Sequence, residues 1–150
     1  MDRITKSYLD AFSKHRDIEN DDESVQFEKF VNYLVLKDEV ADQIDLGDVT
    51  TGPNDCSIDG VGIVVDEELV LTPDDAILIF ESNKKKHDAE IIFLQAKTSD
   101  KFDLGEYLKF ESSIKSFIRA INNGENYDTS DEVLRNAFSI ANVLNGFPIA

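Results

Sequence analysis

Ser57-Ile58-Asp59-Gly60-Val61-Gly62-Ile63-Val64-Val65 decides how this chain folds. β-branched residues fill the stretch and a polar segment precedes it, so it reads as a strand leaving a loop, with an acid at its mouth. Downstream, Ala89-Glu90-Ile91-Ile92-Phe93-Leu94-Gln95-Ala96-Lys97 reads as another strand. Its unbroken apolar run, Ile91 to Leu94, predicts burial on both faces in the middle of a sheet. Side chains at i and i+2 of a strand share a face. Gln95 and Lys97 therefore project together, and both can face Asp59. A carboxylate, an amide oxygen and an ammonium converging on one point can hold a divalent cation beside a phosphate, the minimal apparatus of a metal-dependent phosphodiesterase.

Helices are expected around these strands. Ile4, Tyr8, Ala11 and Phe12 have helical spacing. An acidic break, Glu19 to Glu23, separates them from a second helix capped by Ser24, with Phe27, Phe30, Val31, Leu34 and Val35 on one stripe and an end near Gln43. Ile44 to Cys56 is a loop by composition. Asp66-Glu67-Glu68 is a turn, and Leu69 to Leu71 returns as a hairpin arm. Thr72-Pro73-Asp74-Asp75 opens a short helix with threonine as cap, proline in the first turn and acids behind it. Lys84-Lys85-Lys86-His87 is a basic turn. A long amphipathic helix carrying Leu108, Phe110, Ile114, Phe117, Ile118 and Ile121 stops at Asn122-Asn123-Gly124, and Ser130-Asp131-Glu132 starts the last helix. The expected organisation is an N-terminal helical segment over 1–23 and one domain over 24–150.

The 150 residues, 41% of them hydrophobic, suit a single core. No apolar run approaches the roughly 20 residues that span a bilayer. Met1-Asp2-Arg3-Ile4-Thr5 lacks an apolar signal region, and the single cysteine, Cys56, excludes an internal disulfide framework. Both point to the cytoplasm. His15, His87 and Cys56 have no zinc-ligand spacing. Thirty-one acids against fifteen bases give a net charge of −16, the reverse of a stand-alone nucleic-acid binder. A nucleic-acid partner would need a basic surface from a further domain or another protein.

Each candidate residue also has a plain structural reading. Asp59 at a strand end can be solvated, and Lys97 can snorkel into water. Gln95 inside an apolar strand needs a hydrogen-bond partner or a metal, and the Ala96 carbonyl could be a further oxygen ligand. Glu28 lies between Phe27 and Phe30 on a helix whose wet face it can simply occupy. Lys84, Lys85 and Lys86 can contact a phosphate backbone or remain a solvated turn, and no aromatic residue interleaves with them.

The order of a helix bearing an acid, an Ile-Asp-Gly strand, a hairpin and an apolar strand ending in Gln-x-Lys resembles the PD-(D/E)XK nuclease superfamily. Gln-x-Lys in place of an acid-x-Lys is similar to its Mrr-like restriction branch. From about Phe27 to Phe117 the chain resembles the N-terminal region of abortive infection phage resistance (AIPR) proteins, through Ser57-Ile58-Asp59-Gly60-Val61, Phe93-Leu94-Gln95-Ala96-Lys97-Thr98-Ser99 and Phe102-Asp103-Leu104-Gly105-Glu106. The resemblance implies an α/β (α+β), restriction-endonuclease-like fold with a mixed central sheet flanked by helices, a Mg²⁺ or Mn²⁺ cofactor, and hydrolysis of nucleic acid, DNA before RNA. It implies Asp59 as principal metal ligand, Gln95 in place of the second acid, Lys97 as catalytic lysine and Glu28 as the helix-borne acid. It also implies pairing as a homodimer. Two departures stand out. The gap from Asp59 to Gln95 is long, and the chain stops soon after its last helix, as an N-terminal fragment or short relative would. The alternative from another class is an acidic, non-catalytic interaction or autoinhibitory module on the same scaffold. The nuclease reading requires Asp59 and Lys97 on one side of the sheet.

Overall fold

The computed structural model of the protein describes residues 1–54, 56–82, 86–99 and 101–147. Its elements run α1 (Arg3–His15), α2 (Glu23–Leu36), a 3₁₀ turn (Leu46–Asp48), β1 (Gly60–Val65), β2 (Glu68–Leu69), α3 (Pro73–Phe80), β3 (Ala89–Leu94), α4 (Leu104–Asn123) and α5 (Glu132–Asn145). Among the described residues this is an α+β chain with a three-stranded sheet ordered β2-β1-β3. Both pairings are antiparallel, in place of the mixed sheet expected.

β1, not β3, is the central strand. All six of its residues are buried, whereas Ala89 and Glu90 of β3 are exposed and Ile91 to Phe93 half-buried. An apolar run reports burial but not position in a sheet, and β3 gains its cover on an edge from the helices beside it. The other edge of β1 is taken by β2 at Val64 and Val65, and by the loop before the strand. Thr50 bridges Gly60, and the Val61 N–H donates to the Val49 carbonyl at 2.9 Å.

The strand period of two divides the core. Val61, Ile63 and Val65 face a large cluster built with Ala76 of α3, Phe117 and Ile121 of α4, and Leu134, Phe138 and Ala141 of α5. Phe117 sits at its centre, edge-on to Phe93, Tyr127 and Phe138 with ring centroids 5.1–5.3 Å away. Val64 faces a smaller cluster with Leu36, Val40, Ile44, Leu46 and Val49. Gly60 and Gly62 belong to this second face. A Cβ on Gly62 would touch Leu36 at 3.4 Å, and one on Gly60 would collide with Asn32 at 2.5 Å. The glycines let α2 lie close against the strand.

The helices begin largely where expected and differ in which faces they bury. α2 ends at Leu36 rather than near Gln43, and its cap position is Asp22 rather than Ser24. Its buried residues are Phe27, Asn32 and Leu36, while Leu34 and Val35 of the expected stripe are each 43% exposed. Polar Asn32 takes a core position, so a search for apolar spacing selected the neighbouring face. In α1 likewise, Leu9 and Ser13 are buried and Ile4 and Tyr8 point outward. Phe12 packs α1 onto α2 through Phe30 and Tyr33, at ring distances of 5.2 and 5.4 Å. The Thr72 cap of α3 and the left-handed stop of α4 at Gly124, φ 67°, match the sequence reading. No helix among the described residues is long and apolar enough to cross a membrane.

Candidate functional site

Asp59 ends the β1–β3 ladder. Its N–H donates to the Leu94 carbonyl at 2.8 Å, one step beyond the Gly60–Leu94 pair. Its side chain then takes the next rung, with Asp59 Oδ2 accepting from the Ala96 N–H at 2.8 Å. The carboxylate is thereby fixed to the chain leaving β3. The segment before it is equally held. The Ile58 carbonyl accepts from Thr51 Oγ1 at 2.6 Å and from Asn54 Nδ2 at 2.8 Å. Ser57 adopts a positive φ of 56°, uncommon for a residue with a side chain. Buried Asp131, at the cap of α5, accepts from the Gly52 N–H at 2.7 Å and ties this loop to the far helix.

Helical spacing brings Glu28 to the same point. Glu28, Asn32 and Leu36 are four apart and share one face of α2. Leu36 lies on Gly62 and Asn32 on Gly60, so Glu28 falls one turn further, beyond the start of β1 and toward Asp59. Asn32 secures this alignment by donating to Thr50 Oγ1 at 3.0 Å and to the Asp59 carbonyl at 3.2 Å.

Gln95 and Lys97 lie just past the last residue of β3, so the strand rule behind their expected shared face does not apply to them. The cleft nevertheless gathers both. Glu28, Asp59, Gln95, Ala96 and Lys97 all line one hollow of roughly 420 Å³, with Ser57, Asn54 and Glu106 on its walls. Gln95 Nε2 donates to the Ser57 carbonyl at 3.3 Å, which gives the amide nitrogen a partner. Lys97 pairs with Glu106, on the first turn of α4. In the sequence Glu106 closes the Phe102-Asp103-Leu104-Gly105-Glu106 pattern, and its N–H donates to Asp103 Oδ1 at 3.1 Å. Nothing in that pattern marks it as a partner for Lys97.

Burial perturbs two carboxylates of the half-buried cleft. Burial raises the Asp59 carboxyl above its ordinary value, opposed by the Ala96 N–H and by the charge of Lys97. Burial, with the Asp59 charge second, pushes the Glu28 carboxyl up to about 7. The Asp59 charge adds to the cost of ionising Glu28 beside it. Among the described residues no side chain hydrogen-bonds to Glu28 or pairs with it.

A stability prediction follows from Glu28 alone. Unfolded, its carboxyl loses its proton near 4.5, and folded it keeps it to about 7. Between these values the folded chain holds more protons, so stability falls as pH rises. The penalty is absent below 4.5 and complete above 7. Glu28→Gln, which mimics the protonated acid, is expected to raise the melting temperature at about pH 8 and leave it unchanged at about pH 4. An equal shift at both pH values would mean that Glu28 does not titrate in this way.

The donor set fits a hard cation of the magnesium kind. Such ions take oxygen ligands, commonly one or two carboxylates with the remaining positions left to water and substrate phosphate. Asp59 and Glu28 supply two carboxylates and Gln95 an amide oxygen. Among the described residues no three His, Cys, Asp or Glu side chains form a metal-holding group, so a dedicated all-carboxylate cage is not what the cleft offers. Of the basic turn, Lys84 and Lys85 lie outside the described residues. Lys86 is exposed and precedes β3, whose six residues separate it from the cleft by about 20 Å. It does not join the site. Comparison of the chain with family models, with curated proteins and with solved structures gave no match.

Proposed function

We propose that the chain carries a divalent-metal-dependent nuclease centre on a restriction-endonuclease-like scaffold. The observation that supports it is the convergence of Glu28, Asp59, Gln95 and Lys97, from α2, from the mouth of β1 and from the exit of β3, on one cleft. Asp59, Glu28 and the Gln95 oxygen would hold Mg²⁺ or Mn²⁺, with the Ala96 carbonyl as a further oxygen. The bound ion would supply Lewis-acid polarisation of a phosphate and a water of lowered pKa. The chain's own residues provide the rest. The Ala96 N–H orients Asp59 so that one carboxylate oxygen stays available. Gln95 is anchored through its nitrogen. Lys97 brings a positive charge to the developing anion at phosphorus, and an arriving phosphate competes with Glu106 for it. In this reading the substrate is nucleic acid, DNA before RNA, and the setting is cytoplasmic phage defence. The net charge of −16 assigns most of the affinity to a further domain, a partner or a second copy.

Calorimetric titration with Mn²⁺ tests the centre. Binding at millimolar concentration or tighter is expected, lost in Asp59→Ala and weakening as pH falls below about 7, where Glu28 regains its proton. Absence of binding at millimolar Mn²⁺ would favour the acidic interaction module instead.

A further inference from the structure

A second hollow adjoins the cleft and shares Lys97 and Ser99 with it. Lys101, Phe102, Asp103 and Leu104 also line it among the described residues, and this open hollow of roughly 480 Å³ has room for one nucleotide. Phe102 is 75% exposed. Its ring lies beside Tyr107 with centroids 5.7 Å apart and 48° between planes, a tilted contact that leaves most of the ring open. Leu104 and Leu108, on the same turns of α4, are also more than half exposed. Scattered apolar residues on a surface are ordinary, but a contiguous group beside a cleft marks a binding surface.

Lysines stand beside this ring although the chain as a whole is acidic. Among the described residues that line the hollow are Lys97, Lys101 and one acid, Asp103, whose carboxylate accepts from the Glu106 N–H as the cap of α4. Glu106 itself is drawn to Lys97. An open aromatic face beside lysines is the arrangement that binds single-stranded nucleic acid, because every base has a π-face and every nucleotide a phosphate. In a duplex the base faces are already stacked on each other and cannot cover a ring. Resting on the nuclease reading above, we propose that Phe102, beside Tyr107, stacks an unpaired base of a strand whose phosphates pass Lys101 toward Asp59. The preferred substrate is accordingly single-stranded, or a duplex with a frayed or flapped end at the cleft.

Fluorescence anisotropy on the intact chain tests this, with a labelled single-stranded oligonucleotide and a hairpin duplex of the same length, in chelator so that nothing is cut. The single strand is expected to bind more tightly. Phe102→Ala should weaken it by at least about fivefold, the lower end of what one stacked base contributes. Phe102→Trp should retain it, and Lys101→Ala should lower the salt dependence by about one counterion. The exposed position of Phe102 makes these variants tolerable to the fold, and circular dichroism checks that. Equal affinity for duplex and single strand, or a Phe102→Ala variant that binds as the parent does, would overturn the platform. Loss of self-association in Phe102→Ala without loss of oligonucleotide binding would overturn it in favour of a protein partner on this face. Failure of the platform is separable from failure of the nuclease reading. Metal-dependent cleavage that needs Asp59 but ignores Phe102 removes only the platform, and Phe102-dependent binding without cleavage in any divalent metal removes only the nuclease.

Discussion

Asp59→Ala is expected to reduce Mg²⁺- or Mn²⁺-dependent cleavage of nucleic acid by the intact chain to background, and Lys97→Ala to do the same. The two losses have different causes, and this makes them informative together. Asp59 is the best-oriented carboxylate of the cleft, held by the Ala96 N–H at 2.8 Å, and in the proposed centre it is the principal oxygen donor. Its removal should abolish metal binding and cleavage together. Lys97 is not a donor. Its removal should leave Mn²⁺ binding in place, or tighten it, because the ammonium lowers the negative potential at Asp59. A fall of at least about a hundredfold in cleavage with metal binding retained is the signature of a group that acts on the transition state. Unchanged cleavage in both variants would remove the proposed centre altogether. Loss of metal binding in Lys97→Ala would reassign the lysine to holding the cleft together through Glu106.

Glu106 refines this expectation. In the free chain it occupies the ammonium that the proposed reaction needs. Both residues are well exposed to solvent, so the pair contributes little to stability and yields readily to a phosphate. The pairing gives Lys97 a partner other than Asp59, whose carboxyl still feels its charge.

Much of the scaffold was legible because its signals are local. Thr72-Pro73 capped a helix, Gly124 stopped one, and the hairpin formed at Asp66 and Glu67, where both residues take positive φ. The misread features depend on partners distant in sequence. β1 is central because α2 and α5 cover its two faces, and no property of Gly60–Val65 alone says that. Its two glycines let α2 lie close against it, which helps make it the more deeply covered strand. Leu34 and Val35 satisfied the spacing of a buried stripe and stayed outside, because the face that meets the sheet is set by Asn32.

The candidate site was legible in its members and not in its geometry. Asp59, Gln95 and Lys97 were selected for a shared strand face, yet β3 ends at Leu94 and they meet through a side-chain rung between Asp59 and Ala96. Glu28 was selected by resemblance, while the structure supplies a physical reason in the Glu28-Asn32-Leu36 face lying along β1. Phe102 and Tyr107 could not be found by looking for aromatics within the basic turn, since the lysines they accompany are Lys97 and Lys101.

Gly60→Ala is expected to be the most damaging single-methyl change in the chain, destabilising it by about 3–5 kcal/mol. A glycine at position 60 lets another group come close to the strand. In the structure the group that comes close is Asn32, whose Oδ1, Cγ and Nδ2 would lie 2.5–2.6 Å from a new Cβ. Asn32 is completely buried and cannot swing into solvent. Moving it breaks its bonds to Thr50 Oγ1 and the Asp59 carbonyl, and its Oδ1 already lacks a partner among the described residues. Overpacking therefore adds to the loss of buried hydrogen bonds. Denaturant unfolding of Gly60→Ala, Asn32→Ala and the double variant separates this cause from any intrinsic dislike of the strand for alanine. Asn32→Ala removes all three colliding atoms, so Gly60→Ala in that background should cost under about 1 kcal/mol, a coupling of about 2 kcal/mol or more. Additive effects would refute the collision. Because the same contact sets α2 at the height that brings Glu28 to Asp59, the rescued double variant also separates the fold from the site. A chain that regains stability yet binds Mn²⁺ weakly would identify Asn32 as the residue that holds α2 in register with the cleft.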